Sequence, residues 1–112
     1  MAKYDFSGDA ALLDGQVRSA FVAALARIPQ VLEIYSQFVP DEDDPAAGQV
    51  RLFVVMQEMH INAHGQIGEI ENGIIDSLPE EHRYRYEFLR LFRQDGQVER
   101  IVARERLARI YP

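Results

Sequence analysis

The sequence predicts an all-α fold: two long antiparallel amphipathic helices followed by two shorter C-terminal helices. Three observations lead there. Apolar residues recur at steps of three and four from about Asp9 to Val39, and again from Leu52 to Leu78. Turn signals fall between such stretches, at Pro40 to Pro45 and at Asp95-Gly96. The last segment is rich in Ala, Arg and Glu, which favour helix. The alternative is an α+β fold with a C-terminal hairpin.

The first helix carries Leu13, Val17, Ala20, Phe21, Ala24, Ile28, Val31, Leu32 and Tyr35 on one stripe. Gly15 can delay its start, and Pro29 removes an amide hydrogen and crowds the preceding turn, so a kink or short break is expected near Ile28. The acidic stretch Asp41, Glu42, Asp43 and Asp44 reads as an inter-helix loop. Asp44 is placed to cap the next helix and Pro45 suits its first position.

The second helix is expected from about Pro45 to Ser77, with Leu52, Val55, Met56, Met59, Ala63, Ile67, Ile70, Ile74 and Leu78 on one face. Residues 50–56 alone could form a strand, and Asn72-Gly73 a hairpin turn. Gly65, Gly68 and Gly73 each cost a helix interior about 1 kcal/mol relative to Ala, a cost that something should repay. Val54, Ile61, Gly65, Gly68, Asn72 and Ile75 fall roughly opposite the first face, so this helix has two faces to bury. One can meet the first helix. The other is either packed by the chain itself or meets another protein, its small residues letting a second backbone approach. These six residues are the candidate partner-binding set.

Ser77, Pro79 and Glu80 fit a capping box that would start a third helix ending at Asp95-Gly96. Its rival is the hairpin, because Tyr84, Tyr86 and Phe88 alternate with arginines and Gln94 to Gln97 could turn. A short helix from Val98 toward Tyr111 closes the chain.

A chain of 112 residues has room for one domain, 1–112. It contains no cysteine, which removes disulfides and thiolate chemistry. The amino terminus lacks the pattern of a signal peptide and no apolar run reaches membrane length, so a cytoplasmic protein is expected. Residues 1–79 hold twelve acids against four bases, a net of −8, and residues 80–112 hold eight Arg against six acids, a net of +2. Such an acidic body argues against direct nucleic-acid binding, which needs a basic footprint.

Catalytic signals are sparse. His60 and His64 stand four apart, the spacing that sets two imidazoles over one metal ion, yet no third ligand shares their side and two partly exposed histidines are the plainer reading. No serine has a nucleophile elbow and no Gly-rich loop joins a strand to a helix. Neither enzyme chemistry nor a cofactor is expected.

Val50, Arg51 and Leu52, then Glu58, Met59 and His60, continuing through Ile67, Ile70, Ile74, Ile75 and Leu78 to Pro79, resemble the long helix of the TraM-type antiactivators of quorum sensing. The match covers residues 50–79, about a quarter of the chain. Antiactivators of the QslA type are similar in size and role. The resemblance implies a small helical cytoplasmic protein that binds a LuxR-type transcription regulator and blocks its dimerisation or DNA binding. Three glycines and about thirty residues after Pro79 depart from the pattern. The alternative function is a homodimeric structural or adaptor protein that uses the small-residue face for itself; a small metal-binding helical enzyme is a third.

Overall fold

The computed structural model describes residues 3–44 and 47–112. Its elements in chain order are α1 (Ala10–Leu25), β1 (Glu33–Val39), β2 (Gln49–Met56), α2 (Ile61–Ser77), β3 (Tyr86–Phe92), α3 (Val98–Glu105) and β4 (Ala108–Tyr111). One mixed sheet has the order β3-β2-β1-β4, with β1 antiparallel to both β2 and β4, and β2 parallel to β3. The fold is therefore α+β, and the all-α expectation is corrected.

Each correction has a local cause. The expected first helix stops at Leu25, the residue four before Pro29, whose carbonyl the proline ring would strike if the helix ran on. The remainder of that stripe, including Tyr35, forms β1. Asp9 accepts the Leu12 amide as N-cap at 3.0 Å, and Gly15 lies inside α1 rather than delaying it.

The expected helix from Pro45 to Ser77 is two elements. Residues 50–56 include Val50, Val54 and Val55 in a nearly unbroken apolar run, which suits a central strand covered on both faces. Helix starts only at Ile61, where His60 Nδ1 accepts the Ala63 amide at 3.1 Å. The proposed cap pair at Asp44 and Pro45 lies partly outside the described residues; Asp44 ends a segment in which Asp41 accepts the Asp43 amide.

The third helix is absent as well. Ser77 does not cap: its hydroxyl donates to the Gly73 carbonyl and accepts the Tyr4 amide, and Glu80–Arg85 form a 3₁₀ turn. Tyr86–Phe92 is a strand, as the α+β alternative requires, but no hairpin follows. The chain turns at Gly96, enters α3, and returns as β4 on the opposite edge of the sheet.

Strand alternation divides the core into two layers. On one face Ile34, Val50, Leu52, Val54, Met56 and Tyr86 meet Leu13, Val17, Phe21 and Leu25 of α1 and Ala63, Ile67 and Ile74 of α2. On the other, Tyr35, Phe53 and Val55 meet Val98 of α3 and Leu107.

Two polar clusters tie the layers together. Arg85, 1% exposed, donates to Asp14 at 2.9 and 3.4 Å, to the Gly48 carbonyl at 3.1 Å and to His82 Nδ1 at 3.1 Å, while the Tyr86 hydroxyl also donates to Asp14. That cluster joins the start of β3 to α1 and β2. On the far face Glu33 accepts from Tyr35 and Arg93 and lies 3.7 Å from Arg109, and Arg93 reaches Glu99 of α3. Among the described residues no helix is long and apolar enough to cross a membrane.

Candidate interaction surface

The two edges of the sheet differ in kind. The β4 edge is four residues long, carries Arg109 and runs straight into Pro112, devices that discourage a further strand. The β3 edge is seven residues long, contains no proline, and among the described residues pairs only with β2. All but two of its side chains are aromatic or leucine.

Its two charges differ in setting. Arg90 makes a bidentate pair with Glu71 of α2 at 2.6 and 2.9 Å, both side chains 12% exposed, and Glu87 lies 3.6 Å from Arg51 of β2. Arg90 is thus bound to α2, while Glu87, its side chain 51% exposed, stays at the surface. Phe88, Leu89, Leu91 and Phe92 remain only half-buried, two on each face of the sheet. A strand with unpaired backbone and apolar residues on both faces is a template for a further strand.

The Glu71–Arg90 pair also orients α2. Taking Glu71 as the direction of β3, the core residues Ile67, Ile74 and Ala63 lie at about −40° to −80° around the helix. On the same sense of rotation Ser77, which binds Tyr4, and Gly73, which lies beneath Lys3 and Tyr4, follow at about −120° and −160°. Ile75, Gly68, Ile61, Asn72 and Gly65 occupy the opposite flank, from about +40° to +120°.

Five of the six partner-binding residues expected from sequence therefore share one flank of α2, on the β3 side and away from α1. Ile61 is 82% exposed, and a Cβ built on Gly65 or Gly68 would meet nothing within 4 Å. The sixth, Val54, is fully buried in β2 beneath the helices and leaves the set. Met59, 49% exposed, extends the apolar surface just before α2.

The histidine pair is placed otherwise than the spacing suggested. Nδ1 of His60 is engaged as the cap of α2, and among the described residues no three His, Asp or Glu side chains converge as metal ligands would. A concavity of about 670 Å³ lies on the outer side of α1 between Phe6, Leu12, Gly15 and Ser19; it continues toward Val22, Ala23 and Ile110 in a second of about 550 Å³. Asp5 and Arg18 are the ionisable residues lining those two grooves. A third groove, of about 410 Å³, lies between Val39, Pro40 and Tyr84.

Sequence reasoning missed the β3 edge as a surface, although the alternation of Tyr84, Tyr86 and Phe88 with arginines was its signal. It also missed the Asp14–Arg85–Tyr86 cluster, whose members stand 71 and 72 positions apart and leave no local pattern. Comparison with family models, with curated proteins and with solved structures returns no match to this chain.

Proposed function

We propose that this chain is a structural or adaptor protein that works by binding, joining another protein chain at the β3 edge and the adjoining flank of α2. The observation that carries the reading is the open seven-residue edge, five of whose side chains are aromatic or leucine and whose Arg90 is spent on an internal ion pair, beside a helix flank with two unfilled glycine positions. Main-chain groups of β3 would supply hydrogen bonds to an added strand, and the half-buried aromatic and leucine side chains would supply apolar area.

The reading of the chain as an antiactivator of a LuxR-type regulator drew on one continuous helix through residues 50–79. Those residues are divided among β2, a loop and α2, so the adaptor reading takes precedence. The small-residue flank survives the change because it lies wholly within α2.

The test is retention on immobilised protein. Wild type and Ile61→Asp/Gly68→Lys are each offered a cytoplasmic extract together with a differently tagged second copy of the chain. Both substitutions sit in open space, so the fold should persist, as circular dichroism would verify. A protein retained by wild type and lost with the variant is the expected result. Identical retention by both, or none by either, would overturn the reading.

A further inference from the structure

Residues 3–8 form neither helix nor strand, yet they are fixed to both helices of one sheet face. Exposure alternates along them. Lys3, Asp5 and Ser7 face solvent, while Tyr4 and Phe6 are half-buried against the main core, their rings stacked at 5.3 Å and 5°. Two polar anchors hold the segment. On α1, the Gln16 side-chain amide donates to the Ser7 carbonyl at 2.7 Å and accepts the Ser7 amide at 3.0 Å, pairing with that residue as a neighbouring strand would. On α2, Ser77 Oγ accepts the Tyr4 amide at 2.9 Å, and Gly73, one turn earlier, brings the helix backbone close to Lys3 and Tyr4. These anchors lie on the flank of α2 turned away from β3, apart from the surface assigned to partner binding.

From these contacts we infer that residues 3–7 are a latch, hinged at Gly8, that shuts the groove between α1 and α2 and releases from it as one unit while the rest of the chain stays folded. The groove is a site for an aromatic–polar–aromatic segment, and Tyr4-Asp5-Phe6 is its resident occupant.

Three features keep release local. Gly8 has a φ of +109°, open to glycine and strained for other residues, and an added Cβ would stand 2.9 Å from Leu12 Cδ1. The one residue that crosses easily between the two halves of φ space thus stands where the latch meets α1. The helix itself needs nothing from the latch: the Asp9 side chain accepts the Leu12 amide at 3.0 Å and its carbonyl accepts the Leu13 amide at 2.9 Å. Release also strands no buried polar group. Gln16 and Ser7 bond at the exposed surface, where water replaces them, and Ser77 keeps its own bond to the Gly73 carbonyl at 2.7 Å.

The packing of the latch is partial to match. A concavity of about 670 Å³ lies between Phe6 and the outer side of α1, and another of about 390 Å³ lies between Tyr4 and Ala20, Ala24 and Ile70. A segment whose apolar contact is two half-buried rings, with open space on both sides, belongs to the low end of local stability. Its short tether keeps it at a local concentration on the order of millimolar, so the closed state prevails. Opening uncovers Ala20, Ala24, Ile70 and Gly73 together.

The test is hydrogen exchange on the full chain, followed by NMR at the Tyr4 and Ser7 amides. Both should exchange sooner than the amides of β2, at rates that low urea hardly changes, as local opening requires. Gln16→Ala should speed both by roughly two- to tenfold, the effect of one lost hydrogen bond, although Gln16 touches only Ser7; Ser77→Ala should likewise speed both. The β2 amides should not respond. Acceleration confined to the amide whose own acceptor was removed would overturn the latch as a unit, and latch amides that exchange only together with β2 would make the segment a fixed part of the core. For the groove, an acetylated peptide of residues 3–8 is added to full-length Tyr4→Ser/Phe6→Ser, with β2 exchange confirming the fold. It should shift the resonances of Ile70 and Ser77 more than in wild type, where the resident segment competes. Equal shifts in both proteins, or none in either, would overturn the groove as a site for this segment.

Discussion

Replacing Gly65 and Gly68 together with Ala should make the protomer more stable and the assembly weaker. Both glycines lie inside α2, and a Cβ at either meets nothing within 4 Å, so the substitution adds no clash within the chain. Each Gly→Ala change in a helix interior is worth about 0.8–1.0 kcal/mol, giving about 1.5–2 kcal/mol for the pair. Urea unfolding of the pair in an Ile61→Asp background, where association is blocked, should show this gain as a midpoint raised by roughly 1 M, for m near 1.5–2 kcal/mol/M and unchanged. In the wild-type background the same methyl groups enter the contact with the bound chain, where overpacking costs about 1–3 kcal/mol, so binding of the protein retained by wild type should weaken by about fivefold or more. Stabilisation without any loss of association would show that this flank is not the interface. No stabilisation at all would refute the placement of the two glycines in an unstrained, unpartnered helix face.

Other consequences concern the polar clusters and the turns. Asp14→Ala leaves Arg85 buried without its carboxylate and Tyr86 without its acceptor, and should cost about 3–5 kcal/mol in urea unfolding, whereas Asp14→Leu/Arg85→Met should recover most of that loss; a cost for Asp14→Ala below about 1 kcal/mol would contradict the burial. Burial, then the hydrogen bond to Asp14, holds the Tyr86 hydroxyl above its ordinary value of 10.0, so the folded chain keeps a proton that the unfolded chain releases near pH 10. Stability from this group is fully present below pH 10 and falls above it by up to about 1.4 kcal/mol per pH unit, a slope that unfolding of Tyr86→Phe between pH 9 and 11 should lack. Gly96, at φ +69°, closes the turn before α3 in a left-handed conformation, and Gly96→Ala should lower the unfolding midpoint by the equivalent of about 1 kcal/mol.

The helical parts of the sequence were legible where side-chain period and backbone preference agreed. Leu13, Val17 and Phe21 mark α1, and Ala63, Ile67 and Ile74 mark α2, as expected from steps of three and four. Where a buried strand interrupts the pattern, period alone fails. Leu52, Val55 and Met56 fit a helix stripe because almost every residue of β2 is apolar, and a central strand covered on both faces offers matches to any period. The β-branched valines were the better guide. Residues 86–92 were misread for the same reason: five of the seven are aromatic or leucine, so Tyr86, Leu89 and Phe92 fall at helical steps although the segment is a strand. Long-range partners such as Asp14 and Arg85 have no period at all.

The surface proposed for binding was legible in spite of the wrong helix boundaries, and the reason lies in the glycines. A helical wheel depends only on relative positions within one helix, so the angular relation among Ile61, Gly65, Gly68, Asn72 and Ile75 is the same whether the helix begins at residue 45 or at 61. Only Val54, seven residues before Ile61 and in another element, is lost. Three glycines carry a conformational cost, and the chain covers just one of them: Gly73 packs beneath Lys3 and Tyr4, with an added Cβ 3.5 and 3.7 Å from their side chains. Among the described residues, Gly65 and Gly68 receive no such cover. Together they cost about 2 kcal/mol against alanine, and close approach of a second backbone is the gain that a missing Cβ permits. The open edge of the sheet lies on the same side, tied to α2 by the Glu71–Arg90 pair, so strand and helix flank offer that second backbone one continuous surface.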